Sequence, residues 1–315
     1  MFTQIFILLC SLFLVVFCAN YLVEGSSVIA RKLGVSEFFI GMLIVGFGTS
    51  LPELVVSLIG AINHNADIAV GNIIGSNVFN SAFILGLSAL IVPIAVTEVN
   101  AKRDIPFLLM ATALFVLFGI SNNGISRWEA ITLVAFFVMY VFYIFKSDSK
   151  DYQPGETAAH SGLLFESLTG CIILVIGSII GLVVGGNLFV QSSTTFGHMV
   201  GLSDKVVAII ILAFGTSLPE LATCVAAIKK KHHQMALGNI IGSNLFNMLL
   251  VIGLAGIIHP LSFANINIVD LFAFAGIMTM LFITQHTLHQ GKITRFDGGL
   301  MVAMFGLYIA LLFIL

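Results

Sequence analysis

Apolar residues fill ten runs of the chain, at 4–24, 37–62, 66–92, 105–121, 128–145, 166–190, 203–228, 234–258, 266–286 and 296–315, with short polar stretches between them. A helix needs about 20 mostly apolar residues to cross the hydrocarbon core of a bilayer, so the pattern predicts an all-α membrane protein of ten transmembrane helices. The 28 phenylalanines lie mainly in these runs, as expected of residues that face lipid or pack between helices. The obviously polar break, Lys146–His160, holds Pro154-Gly155 and charges of both signs. It divides the chain into residues 1–145, a linker at 146–165, and residues 166–315. The first run is expected to be a retained span, because no basic residue precedes it and its counterpart near 170–190 is also a span.

Polar residues inside the runs are few, and they recur. Gly48-Thr49-Ser50-Leu51-Pro52-Glu53 returns as Gly215-Thr216-Ser217-Leu218-Pro219-Glu220, at an offset of 167. At the same offset Gly71-Asn72-Ile73-Ile74-Gly75-Ser76-Asn77 falls on Gly238-Asn239-Ile240-Ile241-Gly242-Ser243-Asn244, and Phe79-Asn80 on Phe246-Asn247. Ser126-Arg127-Trp128-Glu129 corresponds to Thr294-Arg295-Phe296-Asp297 with one residue of slip. Each half therefore carries five spans. An odd number makes the second half run the opposite way through the bilayer, the inverted-repeat plan of secondary transporters, whose binding sites lie on interrupted helices near the midplane.

A carboxylate within a span costs roughly 2 to 4 kcal/mol on insertion scales and so faces a partner, a cavity or an ion. Glu53 and Glu220 are accordingly the leading candidates for cation binding. Pro52 and Pro219 lack an N–H and clash with the carbonyl four residues back. Under-used carbonyl oxygens are thus expected at Gly48, Thr49, Gly215 and Thr216, the kind of ligand a hard cation takes. Thr49 and Ser50 lie four and three residues before Glu53, and Ser76 and Asn80 are four apart, so each set shares a helix face. The glycines at 71, 75, 238 and 242 are expected to let those faces approach. Asn72, Asn77, Asn239 and Asn244 are balanced between ligating and bridging helices. Glu24, Glu129, Glu166, Asp270 and Asp297 sit near span ends, where solvation is expected, and His232-His233 follow three lysines in what reads as a solvated loop.

Composition agrees: 59% of residues are hydrophobic, 9% are charged and the mean hydropathy is +1.11, far outside the range of soluble domains. The net charge of −2 says nothing of partners, since almost all the charge sits in loops, and no nucleic-acid partner is expected; the distribution of charge, however, orients the chain. With an external N-terminus, eleven Lys and Arg residues fall in cytoplasmic loops and two, Arg127 and Lys205, outside. The positive-inside rule then places both termini externally. Cys10, Cys18, Cys171 and Cys224 lie in spans without paired spacing, so neither a disulfide nor a zinc site is expected.

These residues resemble the cation/calcium exchanger superfamily, and within it the bacterial and archaeal sodium/calcium antiporters. The resemblance rests on GTSLPE at 48–53 and 215–220 and on GNIIGSNxFN at 71–80 and 238–247, and it covers essentially the whole chain. It implies two inverted five-helix halves around four central cation sites. Glu53 and Glu220 would be shared calcium and sodium ligands, with backbone carbonyls from Thr49 and Thr216 on calcium. Ser50 and Ser76 on the cytoplasmic side, and Ser217, Ser243 and the Ala213 carbonyl on the external side, would bind sodium. Asn80 and Asn247 would take the middle positions. Gly46 stands where members often have alanine, which preserves a carbonyl. Asn247 stands where several members carry aspartate, which argues against potassium dependence. The implied activity is sodium/calcium antiport by alternating access, with calcium leaving the cell across a bacterial inner membrane and with no cofactor or protein partner. Proton/calcium exchange on the same fold is the rival reading, and a cation channel is a rival of another class. An intramembrane enzyme finds no support, since no serine, histidine and acid set recurs at one depth.

Overall fold

The computed structural model describes residues 2–121, 123–151, 167–199, 213–264, 266, 268–288 and 291–314. In chain order the helices are α1 (Phe2–Leu33), α2 (Glu37–Thr49), α3 (Leu51–Ile62), α4 (Ala66–Ile91), α5 (Asn100–Ser121), α6 (Arg127–Asp151), α7 (Leu168–Met199), α8 (Leu218–Lys229), α9 (His233–Ile258), α10 (Ile268–His286) and α11 (Arg295–Ile314). A single helical turn at Ala213–Gly215 precedes α8. Among the described residues eight helices are long and apolar enough to span a membrane, and the bent pair α2–α3 makes a ninth candidate. The expected run 203–228 begins outside the described residues, and α8 is its visible end.

The chain forms two compact units, and each takes segments from both sequence halves: Met1–Pro52 with Ile144–Asn239, and Glu53–Tyr143 with Ile240–Leu315. In the first unit α1 packs along α7 because small residues remove the side chains that would hold the backbones apart. A Cβ on Gly181 would lie 2.3 Å from Cys18 Sγ, and one on Gly185 2.9 Å from a Val15 methyl. The outward positions of both helices, Phe6, Phe13, Ile173 and Ile180 among them, are exposed apolar residues suited to lipid. The first helix runs well past its expected end at residue 24, and Gly25 through Ala30 are buried. Glu24 is not solvated as expected: it forms a half-buried ion pair with Lys230. Nor is His232 in a solvated loop. It is 7% exposed, with Nδ1 2.7 Å from Oε1 of the equally buried Glu37.

The second unit holds α4 and the greater part of α9, from Ile240 on, and these are the most enclosed of the membrane-length helices among the described residues. In α4 and α9, 78% and 83% of the membrane-length window is buried, against 22% in α6 and α11. The unit also holds two short antiparallel ladders, β1 (Ile94–Ala95) with β4 (Lys292–Ile293) and β2 (Gly124–Ile125) with β3 (Leu261–Ser262). The repeated Ser/Thr-Arg-aromatic-acid stretch proves to be a helix start. Glu129 accepts from the Ser126 N–H and hydroxyl at 2.8 and 2.7 Å, and Asp297 accepts from those of Thr294 at the same distances. Each is a capping box that satisfies orphan donors of α6 or α11. Asp297 is fully buried in that role, contrary to the solvated expectation. The following arginines reach carbonyls at the ends of other helices, Arg127 to Ile258 and Arg295 to Ile91, where positive charge complements the helix dipole.

Candidate functional site

The two Thr-Ser-Leu-Pro-Glu stretches break their helices in the same way. Ser50 has φ −85° and ψ 9°, and Ser217 has φ −90° and ψ 11°. Proline follows two residues later in each case, so the carbonyl four residues before it loses its helical donor. Between α2 and α3 the axis bends by 49°. The Gly46 carbonyl, which ends a π-helical stretch at Gly41–Gly46, accepts the Ser50 N–H at 3.1 Å and lies 3.3 Å from the Thr49 hydroxyl.

Within the first unit the break in one half touches the acid of the other. Ser50 Oγ donates to Glu220 Oε1 at 2.9 Å, and Thr49 Oγ1 lies 3.3 Å from Asn239 Oδ1. Asn239 Nδ2 in turn reaches the Glu220 carbonyl at 3.5 Å. Thr49, Ser50, Ser217 and Glu220 are almost or wholly inaccessible, and Thr216 is 6% exposed. Ala213 begins the turn before the break.

The second unit repeats the scheme. Glu53 is fully buried and accepts from Ser76 Oγ at 3.3 Å. Asn72, the counterpart of Asn239, donates to the Glu53 carbonyl at 3.3 Å and to Ser57 Oγ at 3.1 Å. Each glutamate therefore has a serine on its carboxylate and an asparagine on its backbone. Asn72 and Asn239 thus take the helix-bridging alternative that the sequence left open beside ligation, each 19 residues beyond the glutamate whose carbonyl it holds.

Beyond Ser76 and Ser243, both α4 and α9 pass through a π-helical turn, at Phe79–Ile84 and Phe246–Val251. Such turns widen the helix by one residue and are frequent at functional sites. Asn80 and Asn247 lie in them. Asn77 ties the two helices together, donating to the Asn244 carbonyl at 3.2 Å and accepting from Asn247 Nδ2 at 3.0 Å. Asn244 Nδ2 donates to Ser81 Oγ at 2.5 Å. These bonds leave Oδ1 of Asn247 and both amide atoms of Asn80 buried without a hydrogen-bond partner among the described residues. A buried amide in that state costs about 1–3 kcal/mol, unless a ligand completes it. Gly71 does not provide a close approach as expected, since a Cβ there would meet nothing within 4 Å, whereas one on Gly238 would lie 2.3 Å from the Phe38 carbonyl oxygen.

The donor set has a definite chemical character. Carboxylates, hydroxyls, amides and freed carbonyls are hard oxygen ligands, the set preferred by calcium and other hard cations over transition metals. Among the described residues no three His, Cys, Asp or Glu side chains gather as a metal site.

Comparison with known proteins gives a consistent assignment. The family described as sodium/calcium exchanger protein matches residues 3–146 and 171–314. The chain is 31% identical to the sodium/calcium exchanger MaX1 of Methanosarcina acetivorans over 98% of its own length and 97% of that protein. It is 34% identical to the inner membrane protein YrbG of Escherichia coli over 81% of this chain and 79% of that one. The solved structure of the sodium-calcium exchanger NCX_Mj, soaked with sodium and calcium, superposes with a TM-score of 0.85 at 31% identity, covering 98% of each chain.

Proposed function

Since the chain belongs to the sodium/calcium exchanger family, and so to the cation/calcium antiporters, we propose that it exchanges sodium for calcium by alternating access and works in the direction of calcium extrusion. Glu53 and Glu220 are the acidic ligands shared by the competing ions. Thr49 and Thr216 contribute carbonyls to calcium. Ser50, Ser76, Ser217 and Ser243, with the carbonyls of Gly46 and Ala213, serve sodium, and Asn80 and Asn247 complete the set. Ten spans in two inverted halves, in a bacterial inner membrane with both termini external, form the frame of this reading.

The observation that carries it is the pair of fully buried glutamates, each hydrogen-bonded by a serine of the repeated motifs. Two carboxylates neutralise one calcium ion or two sodium ions, and two-thirds of the charge of three. Because the ions use common ligands, occupancy by one excludes the other, which makes the transport an exchange rather than a leak. A proton/calcium exchanger would need protons, not sodium, to discharge the same carboxylates. Calcium flux in proteoliposomes, with sodium, potassium and proton gradients imposed separately, tests the proposal. A sodium gradient should drive calcium uptake that an uncoupler leaves unchanged. Uptake driven only by a pH gradient refutes sodium coupling, and single-channel currents with no counter-ion requirement refute exchange.

A further inference from the structure

His64 and His259 lie far apart in sequence and belong to no part of the ion-binding motifs. Their imidazole rings nevertheless lie together, with centroids 4.4 Å apart and planes inclined at 73°. His64 occupies the turn between α3 and α4, where it adopts a left-handed backbone with φ 56°. That turn is pinned by N–H bonds from His64 to the Ala61 carbonyl and from Asn65 to the Gly60 carbonyl. His259 follows the last residue of α9 in extended conformation, with φ −143°. Both belong to the second compact unit.

We propose that His64 and His259 form a binding site for one divalent transition-metal ion that takes nitrogen ligands at right angles, the class of Ni²⁺ and Cu²⁺, separate from the transport site. Three observations point to it. Ring separation is the first. Imidazoles bound at right angles on one ion, as in the square-planar or tetragonal geometry of Cu²⁺ and Ni²⁺, with metal–nitrogen bonds of about 2.1 Å, have centroids roughly 4.6 Å apart, close to the distance found; a tetrahedral ion would set them about 5.3 Å apart. The second is orientation: His259 Nδ1 lies 2.8 Å from the Pro260 carbonyl oxygen. That contact requires Nδ1 to carry the proton, which leaves the Nε2 lone pair as the ligating atom, and a second-shell carbonyl of this kind is the usual orienting partner of a metal-bound histidine. Access is the third, since His64 is exposed and His259 partly so, leaving room for water in the remaining coordination positions. Nitrogen ligands also set the site apart chemically, because imidazole favours these metals while calcium takes oxygen. A bound ion would staple the α3–α4 turn to the end of α9.

Isothermal titration of the purified full chain with Ni²⁺, carried out in excess Ca²⁺ so that oxygen-rich sites are filled, tests this directly. The expected result is one Ni²⁺ per chain, undisplaced by Ca²⁺. His64→Ala and His259→Ala should each weaken it by about tenfold or more, with sodium-driven calcium exchange in metal-free buffer unchanged. Ni²⁺ binding that survives both substitutions, or that disappears when Ca²⁺ is added, overturns the proposal and leaves the two rings as an aromatic contact only. Loss of Ni²⁺ binding together with loss of calcium exchange in either variant also counts against it, since the two sites would then be one.

Discussion

At the scale of single residues, the described structure separates asparagines that hold helices together from those whose buried amide atoms find no hydrogen-bond partner among the described residues. Asn77 both donates and accepts between α4 and α9. Asn77→Leu should therefore leave buried groups of Asn244 and Asn247 unsatisfied and lower stability by about 1–3 kcal/mol. Asn80 is equally buried but makes no hydrogen bond through its amide among the described residues. Asn80→Leu should leave the calcium-free protein as stable or more so, while the rise in Tm on adding calcium disappears; a loss of calcium-free stability like that of Asn77→Leu would show that Asn80 is structural. Glu53→Gln and Glu220→Gln keep shape and remove charge. Each is expected to abolish calcium flux without lowering the calcium-free Tm, because a buried carboxylate gives up a desolvation cost when it is neutralised. Calcium at 100 times its Kd would stabilise the unaltered chain by about 2.7 kcal/mol, so loss of that shift is measurable by thermal unfolding. Normal transport by either variant would refute the ligand assignment.

Elements show the same motif meeting different surroundings. Gly71 and Gly238 are repeat equivalents on α4 and α9, yet the first is exposed with nothing near its missing Cβ and the second sits against the backbone of α2. Gly71→Ala should be neutral or raise stability by up to about 1 kcal/mol through helix propensity. Gly238→Ala should cost about 1–3 kcal/mol by overpacking, and Tm at a fixed scan rate distinguishes the two. The helix break at Pro52 gives another test. Pro52→Ala restores an N–H and removes the ring clash that holds α2 and α3 at 49°. The variant is expected to fold and to lose most of its exchange rate, since straightening the helix would return carbonyls to the helical ladder and shift Ser50, the donor to Glu220.

For the whole molecule, the decisive quantity is the net charge moved per cycle. If three sodium ions exchange for one calcium, one charge crosses, worth about 2.3 kcal/mol per 100 mV. An imposed potential of that size should then shift the equilibrium calcium gradient roughly fiftyfold. Two sodium ions per calcium would give no shift at all. Calcium accumulation in proteoliposomes clamped at set potassium diffusion potentials reads this out without any assumption about which residues bind.

Membrane class, repeat and acids were all legible along the chain itself, because each depends on composition or on the identity of residues at fixed offsets. A run of apolar residues must leave water wherever it folds, and a glutamate with a proline inside such a run must be compensated. The equivalence of the halves is likewise a one-dimensional fact. Contact is not. That Ser50 donates to the glutamate of the other half, that Asn72 and Asn239 hold glutamate backbones, and that His232 is buried against Glu37 follow from which helices become neighbours. The π-helical turns under Asn80 and Asn247 leave no trace in hydrophobic periodicity, since one added residue in an all-apolar helix changes no pattern of burial. Glu24 carries the same signal as any carboxylate at a span end, and only packing decided that it pairs with Lys230; Glu129 and Asp297 instead cap their own helices through Ser126 and Thr294 three residues before them, a spacing already present in the sequence. Sequence thus determined which groups had to be satisfied, and tertiary structure chose their partners, because the energy of a buried polar group is fixed by atoms within about 3 Å of it and those atoms come from elsewhere in the chain.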